Sequence, residues 1–153
     1  MFESVLYTTD GSELAARSLP LALGLAEQEG ARLRIVTCVN TVDAVIFPGT
    51  AATTGSDLYQ SLKEELDKAA EATLDRAARE AEDAGVECSV ALRHGHPAEE
   101  ILAEARSWGA DVIVMSTHGR TGMPRLLMGS IANQVLHRST LPVLLRPEHE
   151  GRG

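Results

Sequence analysis

Residues 115–131, MSTHGRTGMPRLLMGSI, carry the side chains best suited to chemistry. Gly119 and Gly129 are separated by nine residues, Ser130 follows directly, and His118, Arg120 and Arg125 lie in or beside the interval. An apolar run precedes the stretch and a helical pattern (Ile131, Val135, Leu136) follows it. The order is therefore strand, long glycine-bearing loop, helix start. That order suits an anion. Glycine lets a backbone approach a phosphate closely. The first N–H groups of a helix point outward, and its dipole favours negative charge there. Ser130 can cap the helix or give its hydroxyl to the same ligand. His118 can touch a phosphate or only shape the loop. Arg120 and Arg125 can neutralise phosphate charge or serve simply as surface cations.

Two other stretches hold polar groups at strand ends. Thr8-Thr9-Asp10-Gly11-Ser12 puts two threonine hydroxyls and a carboxylate just before a helix. These groups can meet a ribose, a base or a phosphate-bound metal. Taken alone, ordinary turn chemistry with capping by Asp10 or Ser12 is the better explanation. The ligand reading gains ground only because this strand end should lie beside the one leading to the glycine loop. His94-Gly95-His96-Pro97 superficially resembles the histidine pair of nucleotidyl transferases, but it follows the third strand instead of the first. No third metal ligand lies nearby in sequence, so a solvated turn is the simpler reading. The chain contains no GxxxxGK[ST] loop, no GxGxxG after the first strand and no GxSxG elbow. P-loop hydrolases, dinucleotide sites of the usual type and serine hydrolases are thereby set aside.

The elements that must position these residues follow from the apolar pattern. Five short runs read as strands: Val5–Tyr7, Leu33–Val39, Val86–Leu92, Val112–Met115 and Val143–Leu145. Helical patterns separate most of them. Leu14, Leu19, Leu21 and Leu25 mark a first helix entered through Ser12. A second runs from Leu58 to Ala84 and is closed by Gly85. A third covers Ala98–Ser107 with Pro97 at its first position, where a missing N–H costs nothing. The fourth is Ser130–Arg138. Alternating strands and helices imply parallel βαβ units, an open α/β sheet covered on both faces, and ligands at the carboxyl ends of the strands. Residues 41–56 show no clear period and read as a lid or a loose loop. The domain spans 1–146, and the polar tail 147–153 is expected to fray.

At 153 residues the chain has the size of one domain, which buries about 70% of its unfolded surface. The formal charge of −8 and the absence of a basic run argue against nucleic acid and anionic membranes. An aromatic content of 3% argues against a stacking platform for single strands. Cys38 and Cys88 each fall in a predicted strand and read as buried, reduced thiols. The N-terminus lacks the pattern of a secretory signal, and no apolar run reaches the roughly 18 residues of a membrane helix. A cytoplasmic location is expected.

Taken together, these segments resemble the universal stress protein family from end to end. The family's ATP-binding signature is glycine, two residues, glycine, nine residues, then glycine followed by Ser or Thr. Gly119 and Gly129-Ser130 match it, while Ser116 holds the first glycine's place. The start Val-Leu-Tyr-Thr-Thr-Asp-Gly-Ser, the segment Gly95–Ile113 and the ending Leu141–Leu145 match in kind. The resemblance implies a Rossmann-like sheet of the adenine nucleotide alpha hydrolase type, with five parallel strands in the order 3-2-1-4-5 and four helices. It also implies ATP, with a plausible Mg²⁺ bridging its phosphates. By that resemblance Thr8, Thr9 and Asp10 face the adenosine, and Val39 reads the base through its main chain. Ser116 and Gly119 approach ribose and phosphates, and His118 and Arg120, from their own chemistry, are counted with them as candidate contacts. Gly129, Ser130 and Ile131 offer N–H groups to the outer phosphates. Relatives dimerise through the last strand, so Val143–Leu145 is expected to pair a second copy, alongside an unidentified protein partner.

The leading functional reading is an ATP-dependent sensor or switch in a stress response. A slow ATPase or an adenylate-transferring enzyme of the same α/β group is the alternative. A structural adaptor whose cradle holds only sulfate or phosphate is a third reading.

Overall fold

The computed structural model describes residues 1–40, 55–118 and 128–147. Gly119, Arg120, Arg125, most of the expected lid at 41–56 and the tail after Pro147 lie outside the described residues.

Five strands form one parallel sheet: β1 (Ser4–Thr8), β2 (Arg32–Val39), β3 (Cys88–His94), β4 (Val112–Ser116) and β5 (Val143–Arg146). Their spatial order is β3-β2-β1-β4-β5, as the resemblance implies. β1 reads SVLYT and is buried along its whole length, as expected of a central parallel strand covered on both faces. The strand period of two sorts its side chains. Val5 and Tyr7 join Leu33, Ile35, Val112 and Val114 on one face, under α2 (Leu19–Glu29) and α3 (Gly55–Asp83). Leu6, Val36, Ile113 and Met115 form the other face, under α4 (Pro97–Trp108) and α5 (Ser130–Arg138).

The first helix is interrupted. Ser12 caps a short α1 (Glu13–Ala16), its Oγ accepting the Ala15 N–H at 3.1 Å. Helix resumes only at Leu19. Pro20 explains the break, because it lacks an N–H and its ring would meet the carbonyl of Ala16 in a continuous helix. The Ala15 carbonyl left at the break accepts the Ser18 N–H at 3.0 Å, the Ser18 hydroxyl at 2.6 Å and the buried Tyr7 hydroxyl at 2.9 Å.

β3 begins two residues later than Val86. Gly85, with φ +72°, closes α3 by donating its N–H to the Glu82 carbonyl at 2.9 Å. Val86 donates to the Ala81 carbonyl at 2.9 Å. This is the paired end-of-helix pattern in which an apolar residue after the glycine packs back on the last turn. Val86 is therefore buried as part of a helix cap, and apolar character alone could not separate that from a strand. No described helix is long and apolar enough to cross a membrane.

Candidate functional site

β1 lies between β2 and β4, so the chain winds outward to both sides from the sheet's centre. Such a reversal leaves a crevice beyond the carboxyl ends of the strands. A cavity of about 370 Å³ occupies that position. Thr8, Thr9 and Asp10 line it from the end of β1, and Ser116 and His118 from the end of β4. Ser130 and Ile131 line it from the start of α5. Seven residues far apart in sequence thus share one wall.

The β1 end is built by turn chemistry and also faces the cavity. Asp10 Oδ1 accepts the Ser12 N–H at 2.9 Å, and Thr9 Oγ1 accepts the Gly11 N–H at 3.2 Å. The Thr9 N–H donates to the Val36 carbonyl at 3.0 Å, and the Thr37 hydroxyl donates to the Thr9 carbonyl at 2.9 Å. The backbone of this turn is held from both sides, which fixes where the Asp10 carboxylate stands.

The β4 end leads into the loop through a similar set of tethers. The Ser116 hydroxyl donates to the His118 carbonyl at 2.6 Å. Thr117 Oγ1 lies 3.0 Å from His118 Nδ1, and its N–H donates to the Arg146 carbonyl at 3.1 Å. His118 is buried, so its ring both packs the loop start and lines the cavity.

Gly129 occupies the N-cap of α5, which leaves Ser130 at the first helical position instead of the cap. The Gly129 N–H donates to the Thr117 carbonyl at 2.7 Å. A Cβ on residue 129 would stand 2.9 Å from that same oxygen. Glycine is required here by the approach of Thr117, not by its φ of −59°. Asn133 is the first residue of α5 whose N–H closes on a described carbonyl, that of Gly129 at 2.9 Å. Ser130, Ile131 and Ala132 precede it, in the turn whose N–H groups have no intrahelical partner, and all three line the cavity. No acidic residue lies in this first turn, and His137 and Arg138 occupy the last, so the charge pattern leaves the dipole's positive end unopposed.

Val39 does not line the cavity. It is buried, and its carbonyl accepts the Gly95 N–H at 3.0 Å. Its neighbours Cys38 and Asn40 line the cavity instead. His96 and Pro97, at the start of α4, line it as well. Strand alternation signals Cys38, since the Val36 side chain faces α4 and α5 and residue 38 repeats that face. The histidine pair divides. His94 Nε2 meets Asp67 Oδ1 of α3 at 2.6 Å, whereas His96 stands at the cavity. Among the described residues no group of three or more His, Cys, Asp or Glu is placed to hold a metal.

Burial pushes the Cys38 thiol up to about 12, with Glu100 adding to the effect. Both cysteines are free and half-buried. A thiol with a raised folded value favours the protonated protein. Its stabilising contribution is complete below the unfolded value near 9 and is lost as pH climbs toward 12. Denaturant titrations between pH 8 and 11 are therefore expected to show falling stability, with a shallower fall in Cys38→Ala. Equal slopes in the two proteins would refute this. The same protonation keeps Cys38 slow toward iodoacetamide at pH 8.

A family model described as the Universal stress protein family matches residues 1–147. Universal stress protein YxiE of Bacillus subtilis is 31% identical over 150 residues, covering 95% of this chain and 99% of YxiE. The solved structure of MJ0577 of Methanocaldococcus jannaschii superposes with a TM-score of 0.86 at 25% identity, covering 99% of each chain. A universal stress protein of Archaeoglobus fulgidus, solved in complex with dAMP, has the same fold, with a TM-score of 0.66 at 23% identity. That match covers 95% of this chain and 96% of the other.

Proposed function

The chain belongs to the universal stress protein family, and from that premise we propose that it binds ATP and acts as a nucleotide-dependent switch in a cytoplasmic stress response. The observation that carries this reading is the cavity at the carboxyl ends of β1 and β4, closed by the first turn of α5. Its volume of about 370 Å³ falls within the range typical of small-molecule sites.

The proposed roles follow the wall. Ser130 and Ile131 give N–H groups, and Ser130 its hydroxyl, to the phosphates, while Gly129, its own N–H held by the Thr117 carbonyl, sets where that turn begins. Ser116 and His118 support the same region, and Gly119 and Arg120, outside the described residues, are assigned to it from the family signature alone. Thr8, Thr9 and Asp10 face the adenosine. The Val39 carbonyl is already engaged by Gly95, so main-chain reading of the base falls to the strand end 38–40 as a whole. The close fit of Gly129 under the Thr117 carbonyl supports a rigid seat for phosphate. Mg²⁺ would take its ligands mainly from phosphates and water, as it does in many nucleotide sites.

Binding to a relative is consistent with this: the Archaeoglobus protein was solved with dAMP. A homodimer belongs to the same proposal. β5 is an outer strand of the sheet, and Leu144 on it is 37% exposed. A second copy pairing there would cover an apolar edge that otherwise invites aggregation.

Thermal melting tests the nucleotide. A ligand at about one hundred times its Kd stabilises by about 2.7 kcal/mol, which raises the Tm of a domain this size by roughly 5–10 °C. MgATP is expected to produce a saturable rise of that order. Absence of a rise with ATP, ADP, AMP and cyclic AMP alike would overturn the reading.

A further inference from the structure

One side chain at the cavity holds a buried hydrogen-bonding atom without a partner. His96 Nδ1 is buried and makes no hydrogen bond, and His96 lines the cavity. The residue is the N-cap of α4, but its side chain does not cap the helix. Nearly all buried polar atoms in folded proteins are satisfied, and an exception calls for a ligand, a water or a function.

The chemistry around His96 says which part of a ligand it suits. Two helix starts border the cavity, and they differ. α5 has no acid in its first turn. α4 begins with Pro97, which has no N–H, and carries Glu99 and Glu100 in its first turn. Carboxylates there cancel the helix's attraction for anions. The α5 end is thus the place for phosphate, and the α4 end the place for an uncharged polar group. Cys38 and Ile101, also on the wall, add apolar surface. An imidazole Nδ1 donates or accepts according to tautomer, which suits the heteroatom edge of a base or a ribose hydroxyl.

We infer that His96 is a binding contact for the nucleoside half of the ligand, a turn of its ring bringing the buried, unpartnered Nδ1 to the cavity wall when the ligand enters. This rests on the proposed nucleotide binding. Calorimetric titration of wild type and His96→Leu with MgATP, and competition by tripolyphosphate, test it. Leucine keeps an apolar side chain at the wall but removes the nitrogen. ATP affinity is expected to fall about five- to tenfold, the worth of one hydrogen bond in a desolvated site. Tripolyphosphate affinity should stay the same. The ligand-free Tm should hold or rise, because an unsatisfied buried nitrogen has been removed, whereas a structural role would lower it. His96→Asn, which keeps a polar group near the Nδ1 position, should recover most of the ATP affinity and serves as the variant should leucine prevent folding. Unchanged ATP affinity in His96→Leu, or an equal loss for tripolyphosphate, would overturn the inference while leaving nucleotide binding intact. A wild type that binds no nucleotide would remove both.

Discussion

Gly129→Ala is expected to lower ATP affinity by roughly thirty- to one-hundredfold. The added Cβ would stand 2.9 Å from the Thr117 carbonyl oxygen and 3.5 Å from the His118 Cα. Both neighbours are backbone, so no side-chain rotation relieves the contact. Either the end of β4 or the start of α5 must move. The Gly129 N–H that donates to the same oxygen at 2.7 Å would be pulled out of place with it. Overpacking of this kind costs about 1–3 kcal/mol, and about 2–3 kcal/mol of lost binding corresponds to the stated loss. The N–H groups of Ser130 and Ile131 are the ones displaced, so tripolyphosphate should suffer as much as ATP. Titration of both ligands against the variant checks this. A variant that folds and binds ATP as wild type does would show that the start of α5 is not the phosphate seat.

Arg34→Ala is expected to destabilise the fold by about 3 kcal/mol, more than the loss of its partner Glu104 would. The Glu104 carboxylate is buried under α4. It accepts a hydrogen bond from Arg34 Nε at 2.9 Å and forms an ion pair with Arg93 Nη1 at 3.4 Å. The three side chains tie α4 to β2 and β3. Removing Arg34 leaves the buried carboxylate with the longer Arg93 pairing at 3.4 Å, and breaking a buried pair from one side is the costly direction. Glu104→Met removes the buried charge itself. Arg93 keeps Glu100 at 2.8 Å, and Arg34 keeps the Trp108 ring at 5.9 Å, so the loss should be nearer 1 kcal/mol. The double variant Arg34→Ala/Glu104→Met should then be more stable than Arg34→Ala alone. Denaturant unfolding of the three proteins measures this cycle. A double variant less stable than Arg34→Ala would contradict it. Because α4 carries His96 and Pro97 to the cavity wall, Arg34→Ala should also weaken ATP binding.

The fold was legible in the apolar runs because its central strands are covered on both faces. Val5–Tyr7 and Val112–Met115 are continuous apolar runs within these strands, and both strands are covered on both faces. Val86 shows where that logic runs out: apolar character marks burial, and a helix cap buries as well as a strand does. Pro20 was a visible signal for the break in the first helix, since proline within a helical pattern ends the turn before it. The site was legible where residues adjoin an element boundary. Thr9, Asp10, Ser116 and Ser130 could be placed because a strand end or helix start could be placed. His96 carries the same signal in Pro97, which fixes a helix start at the carboxyl end of β3, but with no third metal ligand nearby in sequence the segment reads as a solvated turn. Ser116 shows a limit of another kind. Its hydroxyl ties the loop start to the His118 carbonyl at 2.6 Å, a bond that the glycine expected there could not make and that spacing alone does not reveal.

We propose that this cavity seats an adenine nucleotide with its phosphates on the first turn of α5. Calorimetric titration of nucleotide-stripped protein with ATP in the presence of Mg²⁺ tests it most directly. One saturable site per chain, weakened by Gly129→Ala, is expected. A flat titration up to about 1 mM ATP, a ligand range that reaches binding as weak as about −4 kcal/mol, would contradict it.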